Sequence, residues 1–296
     1  MSGGVVSVRT VKQVFDIYCP DAACFAHLSY LQADPVMDVA PSSRIEIHVK
    51  KLGSGYYDLN GPWQGNPGNA VHMIERVQSI IIRETAEEFG TSPVVHGGCL
   101  RFGCRRLIVV GSKRAGKTTL MLKCLLEGFA IEGDENVILG LDGVLARPRT
   151  MRIKAKTLAL LPELRAQVMA CPKITDWDGS SVYALAPRLE DGGWSIKKGR
   201  ADAILLLKPN HGGLSSLKPL AATALFENLL EHVFLPPLGR ARAAATLHGF
   251  TRQTKAFELR VGDLEGAAVL LKSLCTDQFS AFSQPVGPSL WERQVG

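Results

Sequence analysis

Residues 106–128 read R-L-I-V-V-G-S-K-R-A-G-K-T-T-L-M-L-K-C-L-L-E-G, and this stretch decides the fold. Arg106–Val110 is a short apolar run of the kind that forms a buried strand. Gly111–Thr118 then spells G-x-x-x-x-G-K-[ST] in full. Lys117–Glu127 is predicted as a helix, stopped by Gly128. Strand, glycine-rich turn and helix in this order make a phosphate cradle. Glycine lets the chain turn with no Cβ in the way, so backbone N–H groups converge on an anion. The positive end of the helix adds to their pull. The candidate nucleotide contacts are Gly111, Ser112, Lys113, Arg114, Ala115, Gly116, Lys117, Thr118 and Thr119. Lys117 is placed to reach the β- and γ-phosphates, and the Thr118 hydroxyl to bind Mg²⁺. ATP and Mg²⁺ are the expected cofactors.

Working outward, Val94–His96 and Cys99–Phe102 read as two short strands before this unit. Phe129–Glu132 reads as a strand after it, ending at Gly133-Asp134-Glu135, and Val137–Leu141 as another. Thr150–Lys156 alternates as an edge strand, Ala203–Leu207 is continuous and apolar, and Ala256–Val261 alternates. Helices are predicted over Leu220–Phe234 and Gly266–Leu274. Further upstream, Ser43–Val49 alternates as a strand, and Ala70–Phe89 carries one apolar stripe at helical spacing. This is an α/β pattern.

Composition narrows the class. The chain has 296 residues, 46% hydrophobic and 21% charged, as an ordinary globular protein has. No apolar run is long enough to span a membrane, and the N-terminus shows no secretory pattern. Seven cysteines at no zinc-finger spacing read as free thiols of a reducing compartment, so a cytoplasmic location is expected. The formal charge of +6 suits phosphate of any kind. No nucleic-acid-binding motif accompanies it, so nucleic acid is disfavoured as a partner. Arg101, Arg105, Arg106, Lys113 and Arg114 are read as a basic cluster around the loop, with two alternatives for its members: recruitment of ATP or an acidic peptide, or a plain solvated surface. The five basic residues of Arg147–Lys156 are read as an exposed strand face.

A phosphate-binding loop serves ATPases, GTPases and kinases alike; what stands opposite the γ-phosphate separates them. A switch GTPase needs N-K-x-D, which is absent. Asp142, after Val137–Leu141, is a weak ATPase acid. Asp134-Glu135 is better placed, just beyond the first helix after the loop.

Three landmarks in register carry a resemblance. V-H-G-G at 95–98, the loop at 111–118 and E-G-D-E-N-V at 132–137 resemble the catalytic domain of HPr kinase/phosphorylase and its shorter relatives. His96 precedes the loop by 15 residues, and Asp134 follows Gly111 by 23, as the family's histidine and acidic pair do. L-K-P-N-H-G-G at 207–213 and F-E-L-R-V-G-D-L at 257–264 resemble segments of the short relatives.

The resemblance implies a nucleotide-binding domain of the HPr kinase C-terminal, PEP carboxykinase-like type over residues 92–276. An α+β region over 1–91 precedes it and a tail over 277–296 follows. It implies an ATP-dependent kinase acting on a hydroxyl, foremost a serine of a protein or peptide. Asp134 would be the base, His96 would orient or tune it, and Glu135 would partner His96 or hold Mg²⁺. It also implies a homo-oligomer. A small-molecule kinase and a nucleotide-gated regulatory protein remain the alternatives. The family's glutamate–arginine–glycine signature is missing, since residues 154–161 read K-A-K-T-L-A-L-L and Glu163-Leu164-Arg165 lacks the glycine. Reverse phosphorolysis is therefore not expected, and HPr itself is weakened as the acceptor.

Overall fold

Leu107, Ile108, Val109 and Val110 are each fully buried, because their strand is covered on both faces. Leu107 and Val109 enter one apolar cluster and Ile108 and Val110 the other, as a period of two requires. The computed structural model describes residues 3–32, 35–88, 90–147, 149–175, 180–186, 195–236 and 239–276.

The strand Arg105–Val110 pairs in parallel with Ala203–Pro209, which pairs in parallel with Lys255–Val261. On its other side it pairs antiparallel with Val94–Phe102. Antiparallel strands extend both edges into a nine-stranded mixed sheet among the described residues. Helices Lys117–Leu126 and Leu264–Cys275 cover one face through Leu120, Leu122, Leu271 and Leu274. Helices Ala222–Leu230 and Arg240–Gln253 cover the other through Leu225, Leu229, Leu247 and Phe250. The architecture is mixed α/β.

Residues 5–59 form a separate four-stranded sheet, in the order Val5–Arg9, Gln13–Tyr18, Ser43–Gly53, Tyr56–Leu59. Helices Ala22–Leu28 and Ala70–Glu88 pack on it around Phe15, Ile17, Ile47, Met73 and Val77. A three-stranded sheet of Met151–Lys154, Ser181–Leu185 and Lys173–Thr175 adjoins this unit. Tyr30, Ile174, Val182 and Ala184 fill the seam between them. The Thr150 hydroxyl donates to the Tyr30 carbonyl at 2.8 Å across it. Among the described residues no helix is long and apolar enough to cross a membrane. All seven cysteines are free thiols.

Four readings of the sequence need correction. Val94–Phe102 is one strand, not two. Its glycines are close-approach positions rather than breaks. A Cβ on Gly97 would lie 2.6 Å from the Val109 carbonyl oxygen, and one on Gly98 2.1 Å from the Met121 sulfur. The alternation of Thr150–Lys156 holds only over Met151–Lys154, after which Ala155–Leu160 turns helical. The helix expected to reach Phe234 stops at Leu230, and Val233–Phe234 becomes a strand on Val94–Val95. Arg240–Gln253 is a helix the apolar pattern does not reveal. Its buried side is Ala243, Leu247, Phe250 and Thr251, at helical spacing but with one small and one polar member. The tail from Asp277 and Phe89 lie outside the described residues.

Candidate active site

The site begins where Arg105–Val110 ends. A Cβ on Gly111 would meet the Leu207 side chain and carbonyl oxygen at 3.0 Å each, so the neighbouring strand requires glycine there. Arg114 has a positive φ of 69° and Gly116 one of 92°. Arg114 is the only described non-glycine residue with that sign. Such left-handed residues within a turn aim successive N–H groups into one concavity, which receives an anion. Helix Lys117–Leu126 starts directly beyond, with its free N–H groups at the same place. The Lys117 ammonium folds back onto the loop, donating to the Gly111 carbonyl at 2.7 Å and the Ser112 carbonyl at 3.2 Å. Partial burial holds its pKa below the usual lysine value, while Asp134 opposes that shift. A cation in the mouth of an N–H nest fits a triphosphate.

Asp134 and Glu135 come to this loop from across the sheet. Strand Val94–Phe102 pairs with Ala130–Gly133 at Cys99 and with Asn136–Gly140 at His96. The two residues between these ladders, Asp134 and Glu135, form a bend opposite Gly97, whose N–H donates to the Glu135 carbonyl at 2.9 Å. Two adjacent acids in a regular strand would point to opposite faces of the sheet. Strand alternation does not apply inside a bend, and both side chains line one cavity of about 640 Å³. The Thr118 hydroxyl donates to Asp134 Oδ2 at 3.2 Å. Glu135 is ion-paired with Arg149.

The electrostatics of the two acids differ. Burial pushes the Asp134 carboxyl up to about 6, against the opposing pull of Thr118, Arg149 and Lys117. His96 lines the same cavity, and its backbone N–H donates to the His232 carbonyl at 2.7 Å. Desolvation by the cavity walls, then Lys117, His232 and Arg149, hold its imidazole down at about 4. At neutral pH the site therefore presents an ionised Asp134 of raised basicity beside an uncharged histidine.

Among the described residues no group of three or more His, Cys, Asp or Glu side chains could hold a metal ion. A divalent ion here would thus rest on Thr118, one carboxylate and phosphate oxygens, the donor set Mg²⁺ accepts. Glu135, the carboxylate expected at the ion, lines the same cavity and is ion-paired with Arg149.

Of the expected nucleotide contacts, Lys113–Thr119 line the cavity, together with Asp134, Glu135 and His96, while Gly111 and Ser112 are not among its lining residues. Asp142 does not; it is exposed and paired with Lys198. The basic cluster expected around the loop divides. Lys113 and Arg114 line the cavity, but Arg101, Arg105 and Arg106 sit at the opposite end of their strands. Arg106 is buried and donates to Glu132 from Nε at 2.6 Å and Nη2 at 3.1 Å. Arg101 approaches the same carboxylate at 3.3 Å, and Arg105 holds Asp202 at 2.8 Å. Arg149, Arg152, Lys154 and Lys156 line the cavity instead, with His211 from the loop after Ala203–Pro209. For Arg152 and Lys154 the sequence carried a shared face but not the cavity it meets. Met151 and Ile153 alternate with Arg152 and Lys154, so apolar packing of one set commits the other to a single face.

No family model matches this chain, and no curated protein matches its sequence. Among solved structures it is similar to the Hpr(Ser) kinase/phosphatase from Coxiella burnetii at 9% identity. That match covers 64% of this chain and 97% of the other, with a TM-score of 0.30. At that level the functional reading rests on this chain's own cavity.

Proposed function

We propose that this protein is an ATP-dependent kinase of the HPr-kinase-like type that phosphorylates a hydroxyl, foremost a serine of a protein or peptide. The observation that carries the reading is the 3.2 Å contact between Thr118 and Asp134. It puts a carboxylate of raised basicity at the place where a loop-bound triphosphate would end. Gly111–Thr119 hold the phosphates, with Lys117 swinging from its own loop carbonyls to the β- and γ-phosphates. Mg²⁺, held by Thr118 and the triphosphate, would supply charge neutralisation. Asp134 accepts the serine proton as the serine oxygen bonds to the γ-phosphorus. The bond from that phosphorus to the bridging oxygen breaks, and its electron pair leaves with ADP. Asp134 then returns the proton to solvent. Glu135 keeps Arg149 beside the reacting groups, and neutral His96 walls the site without adding charge.

Asp134→Asn tests this directly. The variant keeps ATP affinity, measured by equilibrium binding, and loses transfer from labelled ATP into protein. Transfer at the wild-type rate would sink the assignment. Binding of ATP with no transfer in either form would favour a nucleotide-gated regulatory protein.

A further inference from the structure

Phosphates are met by the loop at 111–119, but a nucleotide also carries a flat base that needs faces to lie against. The parallel strands Arg105–Val110, Ala203–Pro209 and Lys255–Val261 end at one edge of the sheet, with Val110 beside Leu206 and Pro209 beside Val261. Ligands of α/β sheets bind outside such strand ends. The acids reach this edge from the side of Val94–Phe102; the loop 210–215 reaches it from the opposite side, after Ala203–Pro209. Thr118 and Asp134 set the γ end of a triphosphate on the first side.

Two lining residues differ in kind from the others. Among the described residues of the lining, only His96 and His211 carry rings, and Leu160 is the one large aliphatic side chain. His96 belongs with the acids: it pairs with Asn136, next to Glu135. His211 stands on the other side, exposed, on a loop that is firmly held. The Asn210 N–H donates to the Val261 carbonyl at 2.8 Å, and its side-chain amide to the Leu214 carbonyl at 2.9 Å. The Ser215 hydroxyl donates to the Asp263 carbonyl at 2.6 Å. A Cβ on Gly262 would lie 1.9 Å from the Gly213 carbonyl oxygen, so the loop rests directly on the end of the neighbouring strand. Leu160 ends the helix Ala155–Leu160 and is 62% exposed, while Leu158 and Leu161 on either side are buried in the main cluster.

We propose that His211 and Leu160 form the nucleobase subsite of this cavity. The imidazole stacks on the face of the base, and Leu160 supplies an apolar contact. The proposal rests on the kinase reading for the presence of a nucleotide, but not for the transfer step.

The experiment uses the full chain with Mg²⁺ and measures equilibrium binding of two probes, a non-hydrolysable ATP analogue and inorganic tripolyphosphate. The second probe carries the phosphates without the base. His211→Ala is expected to weaken the analogue by about fivefold or more and to leave tripolyphosphate at its wild-type affinity. His211→Phe, which keeps a ring without an N–H, restores the analogue. Leu160→Ser weakens the analogue alone, by less. Lys117→Ala weakens both probes. Unchanged analogue affinity in His211→Ala overturns the proposal. So does equal weakening of both probes, which would place His211 on the phosphates. Rescue by His211→Gln but not by His211→Phe also overturns it, since the contact would then be a hydrogen bond and not a stack. Unchanged affinity in Leu160→Ser overturns the assignment of that residue. Failure of the nucleotide reading looks different: wild-type protein then binds neither probe, or Lys117→Ala binds both as wild type does. Analogue binding that depends on His211, with no transfer from labelled ATP, keeps the subsite and overturns the kinase.

Discussion

Two groups of basic residues stand at opposite ends of the same sheet. Arg101, Arg105 and Arg106 flank the start of the strand leading to the glycine-rich loop; Arg149, Arg152, Lys154 and Lys156 line the cavity beyond its end. The first group lies close to the loop in sequence, and proximity suggested a role in nucleotide recruitment. A strand of six residues nevertheless carries its two ends roughly 17–20 Å apart. Arg106 instead neutralises Glu132, whose side chain is 1% exposed, while the Cys99 thiol donates to the same carboxylate at 3.4 Å. Burial beside this carboxylate holds the Cys99 thiol well above its ordinary pKa. The second group is some thirty residues or more from the loop in sequence and reaches the cavity through the packing of Met151 and Ile153. Charges of one kind thus close a buried ion pair at one end of the sheet and line the open cavity at the other.

The comparison breaks first at the acids. Glu132 and Asp134 are two residues apart, yet only Asp134 is assigned to the chemistry. Asp134→Asn should lower transfer by about 10²–10⁴-fold, measured with labelled ATP under saturating conditions. Its thermal stability should rise, because a carboxyl pushed above its ordinary value is stabilised when neutral. Next in size, Arg106→Ala should destabilise the fold by about 3–5 kcal/mol in urea denaturation, since it leaves Glu132 buried without its main partner. Arg106→Ala at wild-type stability would break the structural assignment of that group.

The pH dependence is the third effect. The base must be ionised, so kcat/KM should fall about tenfold per pH unit below a midpoint near 6. The midpoint should vanish from the residual activity of Asp134→Asn. Stability carries the opposite sign. A raised folded-state pKa makes this group stabilising when protonated, and that contribution is lost as pH rises from about 4 through about 6. The smallest effect is Arg105→Ala, whose partner Asp202 is reached from an exposed position. Its melting temperature should stay close to wild type. A large fall there would mean that the whole first group acts as one network.

Much of this site could be read from residues alone. The loop at 111–118, its strand and its helix follow from local chemistry: an apolar run, glycines where the backbone must turn, and a lysine and threonine on the first helical turn. The helix Ala70–Glu88 was legible for the same reason, as one unbroken apolar stripe. Arg240–Gln253 was not, because Ala243 and Thr251 occupy positions on its buried face where large apolar residues would have declared it. Val94–Phe102 was misread because a glycine pair has two physical meanings. Only the positions of Met121 and Val109 select close approach over a break.

The sequence by itself determined the strand, glycine-rich turn and helix at 106–127, the α/β class of the elements around them, and the place of an acidic pair a helix and a strand further on. Those features depend on neighbours a few residues apart, where periodicity and turn chemistry act. Tertiary structure alone decided that Asp134 and Glu135 share one cavity, that Asp134 meets Thr118, and that Arg149–Lys156 rather than Arg101–Arg106 surrounds the site. These outcomes depend on which strands pair and where their ladders interrupt. That choice is made by burial of side chains far apart in the chain, and no local pattern encodes it.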